Sequence, residues 1–233
     1  MNLDLSQADR LLTTTKQVRK RLDLSRPVPK ELILECIQVA SAAPIGGNRQ
    51  SNRWIVVDDA EQKRALAELY NIRAQRYFDE LPPEPAGSRQ ARVNESAQFL
   101  ADNLAKVPAL VIPVRMGRPS SAASVRELSA FYGSVIPAVW SFQLAARARG
   151  LGSAFTTFHL AHEVEAARIL GIPEPRPQPT VILAREEPPP DLVTQICLLP
   201  LAYYAGDDFM PAPRLAASEV TFHNRWLCKF DDQ

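Results

Sequence analysis

The sequence predicts one compact domain in which helices cover both faces of a mixed β-sheet. Three observations carry that prediction. Four short β-rich runs, Trp54–Val57, Val107–Val114, Thr180–Ala184 and Ile196–Tyr203, are bounded by proline or charge and are apolar on both faces. A sheet buried under helices on each side reads this way. The segments between these runs carry a helical period. Finally, one segment is apolar almost all round from Ile136 onward, through Val139, Trp140, Phe142, Leu144 and Ala145; a helix without a polar face is a buried one. The length of 233 residues corresponds to one large or two small domains at roughly 150 residues each. No repeat or flexible linker divides it, so residues 1–233 are read as a single domain.

Taken in order, Leu32, Ile33, Cys36, Ile37 and Ala40 recur at a spacing near 3.6 and predict an amphipathic helix. The strand at Trp54–Val57 follows, then helices over 61–80 and 89–106, then the strand at Val107–Val114. A long helix is predicted from about Glu127 to Arg149, with Pro137 either kinking it or marking an N-terminal turn. Gly150-Leu-Gly152 supplies its stop, because glycine tolerates the left-handed conformation that ends helices. Proline clusters at 81–85, 173–179, 188–190 and 211–213 mark rigid loops.

Composition narrows the function classes. Basic residues number 27 and acidic residues 26, a net charge of +1, which argues against a dedicated nucleic-acid binder. Hydrophobic residues make up 46% and charged residues 23%, the mix of a globular protein with a sizeable core. No apolar run approaches the roughly 20 residues of a membrane helix. The N-terminus lacks a basic flank followed by an apolar stretch, so no signal peptide is expected. Cys36, Cys197 and Cys228 are widely spaced, without a C-x-x-C pair, and predict a reducing, cytoplasmic setting.

Four segments offer chemistry. From Lys16 to Lys30 there are six basic residues against one acid, Asp23, a cluster that can hold a phosphate or carboxylate or form a solvated basic face. Ala43-Pro-Ile-Gly-Gly-Asn-Arg-Gln50 lets backbone approach a planar ligand and adds Asn48 and Gln50 as paired donors and acceptors; it is also ordinary turn chemistry. Gly150 to His159 combines small residues with adjacent threonines. Pro211-Ala-Pro-Arg-Leu215 carries a late arginine in a rigid loop. His159 and His162 lie three apart beside Glu163, but no third ligand stands at useful spacing, so no metal is expected. The cysteines lack an activating histidine. G-x-S-x-G, Walker A and G-x-G-x-x-G motifs are absent.

In order and spacing these segments resemble the FMN-dependent nitroreductase family. The resemblance rests on Thr15-Lys-Gln-Val-Arg19, Ala43 to Asn52, Leu144 to Gly152 and Pro213-Arg214, and it spans roughly residues 10–226. It implies an α+β, three-layer α/β/α sandwich with a mostly antiparallel sheet and an intertwined homodimer carrying FMN at the subunit interface. It implies that Lys16, Gln17 and Arg19 hold the phosphate, ribityl chain and flavin pyrimidine edge. Pro44, Ile45, Gly46 and Asn48 would border the flavin from the partner subunit. Thr156, Thr157 and Phe158 would lie along the ring with a backbone N–H near N5, and Arg214 would close on the phosphate. Residues 205–233, with Phe222, Trp226 and Phe230, would wrap the partner. The implied activity is electron transfer from NAD(P)H through FMN to a nitroaromatic, quinone or similar acceptor, with no single catalytic side chain. Phe131 and Tyr132 are candidates to face that acceptor or to pack in the core. The sequence departs from the family pattern at Thr15, Ile45 and Asn52, which keeps a second expectation in play: a flavin storage or sensor protein without turnover.

Overall fold

The computed structural model describes residues 4–174, 192–207 and 209–230. Its elements are α1 (Leu5–Thr14), α2 (Lys30–Ala40), β1 (Asn52–Val57), α3 (Ala60–Asp79), α4 (Arg89–Asn103), β2 (Ala109–Met116), α5 (Val125–Gly133), α6 (Ile136–Ala148), β3 (Leu151–Ser153), α7 (Glu163–Leu170), β4 (Val193–Gln195), β5 (Leu199–Tyr203) and α8 (Ala217–Val220). The chain divides into two compact units, one of residues 17–207 and one of the two ends, 1–16 with 208–233.

In the larger unit the sheet runs β1-β2-β5-β3, with β4 also paired to β2. Every pairing among the described residues is antiparallel, in keeping with the mostly antiparallel sheet expected. Alternation along β2 sends Ala109 and Val111 into a core with Ile33, Cys36 and Ala40 of α2 and Val139, Phe142 and Ala146 of α6. Leu110 and Ile112, equally buried, point to the other face. The buried stripe of α3, Leu66, Ala67, Tyr70 and Ala74, lies outside that first core. Lys63 ties α3 to the entrance of β2 by donating to the carbonyls of Val107 at 2.9 Å and Pro108 at 3.3 Å.

Helix starts follow from local chemistry. Asp59 caps α3 by accepting from the N–H groups of Glu61 and Gln62. Ser124 and Glu127 close a capping box on α5. Pro137 stands in the first turn of α6, where its missing N–H costs nothing.

Four expectations need adjusting. The segment from Glu127 to Arg149 is two helices, because the chain breaks at Ser134–Val135 and restarts at Ile136, with Pro137 in the new first turn. Its second half is not wholly enclosed, since Ile136 and Trp140 are 38% and 37% exposed. The helix over 89–106 ends its α-helical part at Asn103 and finishes as a tight 3₁₀ turn over Leu104–Lys106. The run Ile196–Tyr203 is strand only from Leu199 onward, as β5; β4, just upstream of the run, also pairs with β2, in a register that differs by one residue. Cys197 and Leu198 together stand opposite Ile112, a β-bulge. The strand expected at Thr180–Ala184 lies outside the described residues. Helix α1, capped by Asp4, has no counterpart among the sequence expectations.

In the smaller unit α1 carries Asp4 at its cap, and α8 is held by Lys229, which donates to the carbonyls of Ser218 at 3.1 Å and Glu219 at 2.7 Å. Phe222 meets Trp226 edge-on at 4.7 Å and His223 stacks on Phe230 at 4.8 Å.

Candidate cofactor site

The bulge is what builds the first part of the site. It leaves Leu198 free to exchange both backbone hydrogen bonds with Thr156, at 3.1 and 2.8 Å. Thr156 thus continues the β3–β5 ladder beyond the end of β3 and fixes the loop that carries Thr157 and Phe158. On the other side of β3 the segment after Gln17 runs close by, with Val18 N–H donating to the Ser153 carbonyl at 2.8 Å. Gly152 makes that approach possible: a Cβ there would lie 2.9 Å from the Val18 Cβ. Gly150, at φ +76°, is the helix stop. The two glycines of Gly150-Leu-Gly152 therefore serve different purposes.

These contacts bring Gln17, Arg19, Thr156, Thr157 and Phe158 together. Gln17 Oε1 accepts from the Phe155 N–H, which leaves its amide NH2 to donate outward. Arg19 is half-buried; burial lowers its pKa, an effect opposed by Tyr70 and Tyr77. It has no carboxylate partner among the described residues. The N–H groups of Phe155 and Thr156 are both committed to protein acceptors, whereas that of Thr157 has none among the described residues. Phe158 packs against Tyr70 at 5.2 Å, Tyr77 at 5.3 Å and Phe78 at 6.5 Å, with the Arg73 guanidinium 6.0 Å above its ring. This aromatic wall comes from α3 and was not anticipated from the sequence; its signal, Tyr70, Arg73, Tyr77 and Phe78 at i, i+3, i+7 and i+8, is also that of any amphipathic helix.

A second group forms around Ser134, at the junction of α5 and α6. The loop Pro44–Asn48 docks there through Gly46 N–H, which donates to Ser134 Oγ at 3.1 Å. Gly47 and Asn48 both take positive φ, +65° and +53°, so the Gly-Gly-Asn sequence suits the turn. Asn52 donates to the Ser134 carbonyl at 2.9 Å and accepts from Arg115 at 3.0 Å, so the unexpected residue at position 52 is a structural latch. Pro44, Gly46 and Asn48 are exposed and Ile45 is half-buried. Of the two candidate acceptor-facing aromatics, Phe131 is packed into the core, with Arg115 over its ring at 5.0 Å. Its place is in packing. Tyr132 meets it edge-on at 5.2 Å and is 40% exposed.

Lys16 and Arg214 belong to the smaller unit. Lys16 is exposed, its ammonium 5.9 Å from the Phe209 ring. Arg214 is exposed and donates to its neighbour's carbonyl, Pro213, at 2.9 Å. Thr15, where the family pattern favours a cation, spends its hydroxyl on the Leu11 carbonyl at 2.6 Å. A surface cleft of about 740 Å³ runs between Leu22–Arg26 and Tyr203–Ala205, but none of the expected cofactor residues lines it. Arg26 lies flat on Tyr203 there, at 3.5 Å. No cluster of metal-ligating side chains occurs among the described residues.

An antiparallel sheet between helical layers thus carries, among the described residues, a half-buried guanidinium without a carboxylate partner, a backbone N–H without an acceptor and an aromatic wall. A model of the nitroreductase family matches residues 16–184, and the chain belongs to that family. No curated protein matches it. Among solved structures it is similar to iodotyrosine deiodinase bound to FMN and 3-iodo-L-tyrosine, at 20% identity over 93% of this chain and 99% of that one, with a TM-score of 0.60. It is also similar to a mutant of the FMN and NADPH-dependent nitroreductase NfnB from sphigopyxis sp. strain HMH, at 20% identity over 94% and 99%, TM-score 0.61. A BluB-like flavoprotein from Clostridium difficile is 17% identical over 96% and 100%, TM-score 0.60. At these identities the likeness concerns the fold.

Proposed function

We propose that this chain is an FMN-dependent oxidoreductase, passing electrons from NAD(P)H to a nitroaromatic, quinone or similar small acceptor. The observation that carries the reading is Arg19, a half-buried cation with no carboxylate partner among the described residues, together with the N–H of Thr157, which has no acceptor among those residues. The donor set fits FMN, whose ring edge accepts hydrogen bonds and gains negative charge on reduction. Bound FMN supplies hydride exchange at its ring; the protein orients it and tunes it.

Arg19 meets the pyrimidine edge and offsets developing charge there. Thr157 N–H donates toward the ring, with Thr156 and Phe158 beside it. The Gln17 amide donates to the ribityl chain or phosphate. Lys16 and Arg214 are assigned to the phosphate on the family resemblance. Pro44, Ile45, Gly46 and Asn48 border the ring from a second copy, and Tyr132 faces the acceptor with Phe131 packed behind it.

The homodimer is supported by an apolar stripe exposed on α5 and α6: Val125, Leu128, Tyr132, Ile136 and Trp140. Residues 205–233 are proposed to wrap the partner as an extension of a single domain; Met210, Trp226 and Phe230 in that stretch are 70%, 79% and 57% exposed. The cytoplasm is the proposed location. All three cysteines are free, and among the described residues no helix is long and apolar enough to cross a membrane.

The test is a visible absorption spectrum of the purified protein before and after anaerobic NADPH. Flavin bands that bleach are expected. Bands that persist with either nicotinamide would favour the storage or sensor role. Protein without flavin bands after incubation with FMN and gel filtration would end the cofactor assignment.

A further inference from the structure

Tyr70 lies on α3, outside every segment whose sequence pointed to a cofactor. It is only 3% exposed, and it touches two residues of the candidate site, Thr156 and Phe158. Its hydroxyl accepts from Thr156 Oγ1 at 3.1 Å, and its ring packs against Phe158 with centroids 5.2 Å apart. Burial pushes the Tyr70 phenol up, while the Thr156 hydroxyl and the positive charge of Arg19 pull it back. The phenol therefore stays protonated at neutral pH.

Packing alone does not call for that hydroxyl. Ala67 and Ala74 flank Tyr70 on the buried stripe of α3, and a phenylalanine would fill the same space. A buried hydroxyl costs free energy unless it is hydrogen-bonded, and this one is bonded to a residue of the site itself, Thr156.

We propose that Tyr70 is a positioning residue of the cofactor site, its hydroxyl fixing the Thr156 side chain and its ring and dipole holding Phe158 and Arg19 toward the flavin. The assignment rests on the FMN reading. It predicts that Tyr70 sets the electrostatics at the pyrimidine edge through Arg19 without meeting any reacting atom.

The test compares FMN-loaded wild-type protein with Y70F, reading the FMN dissociation constant by flavin fluorescence and the midpoint potential by dye-equilibrated reductive titration. Neither reading depends on NAD(P)H turnover. Y70F should bind FMN about three- to tenfold more weakly, the effect of one hydrogen bond. With Arg19 less well held, reduction should become up to about tenfold less favourable, a midpoint about 30 mV more negative for a two-electron couple. T156V removes the other end of the bond and should reproduce the shift, and the double variant should add little to either single one.

Y70F with wild-type affinity and potential would overturn the proposal. So would a variant that melts earlier yet keeps its potential, or single effects that simply add. Should Y70F fail to fold, T156V alone decides: a wild-type potential in it overturns the proposal. Wild-type protein that takes up no FMN removes the flavin reading and this role together, and it does so before any variant is made.

Discussion

His159 is fully buried and neither of its ring nitrogens has a partner among the described residues. Burial lowers its pKa from 6.5 to about 4, so the folded protein holds it neutral. Because the unfolded chain binds this proton more tightly, stability is complete above about pH 6.5 and falls as the pH drops toward 4. The loss amounts to about 3 kcal/mol at its limit. Chemical denaturation at pH 7 and pH 4.5 checks this: H159L should lose the part of the acid sensitivity that this histidine contributes. Arg118 and Glu163 form a bidentate pair at 2.6 and 2.7 Å, with side chains 27% and 22% exposed. E163A should cost about 2 kcal/mol, since charge-assisted bonds of this kind are lost and Arg118 is left half-buried. At this scale the sequence was legible where a residue type has a restricted use. Gly150 as a helix stop and the Gly46-Gly47-Asn48 stretch as a turn are such cases. Tyr70 was not legible, because a tyrosine on the inner stripe of a helix reads as core until its hydroxyl is seen to meet Thr156.

Among the elements, β3 and the segment after Gln17 depend on each other through Gly152. G152A would bring a Cβ within 2.9 Å of Val18, forcing the Gln17–Arg19 segment outward. It should cost about 1–3 kcal/mol and weaken FMN uptake, which thermal melting and flavin titration would register separately. The helices α2 and α3 and the strands β1 and β2 were readable from periodicity and from the dense apolar run of Ala109–Val114. The bulge within Ile196–Tyr203 was not. That run is apolar on both faces, so a one-residue change of register leaves no mark in its hydrophobic pattern. The break between α5 and α6 was half legible: Pro137 signals it, but the surrounding apolar residues read equally well as one continuous helix.

For the molecule as a whole, the exposed stripe on α5 and α6 predicts a dimer, and light scattering of purified protein should give twice the 25.9 kDa chain mass. I136E should shift that toward monomer by placing a charge in the stripe. It should lower FMN uptake as well, because the Pro44–Asn48 loop would lose its place against the ring of the second copy. The sequence identified the family because four weakly specific segments fell in the right order. It could not show that Thr156 is anchored through a bulge some forty residues downstream, since that depends on strand pairing. The anchoring has a consequence for exchange with solvent deuterium. The Thr156 amide is locked in the ladder with Leu198, while the next amide along, Thr157, has no acceptor among the described residues. In the protein without FMN, Thr156 should therefore retain its proton long after Thr157 has lost its own. Added FMN should slow Thr157 and leave Thr156 as it was. Two adjacent residues would thus act as probe and internal standard, reporting occupancy of the site with no label and no turnover.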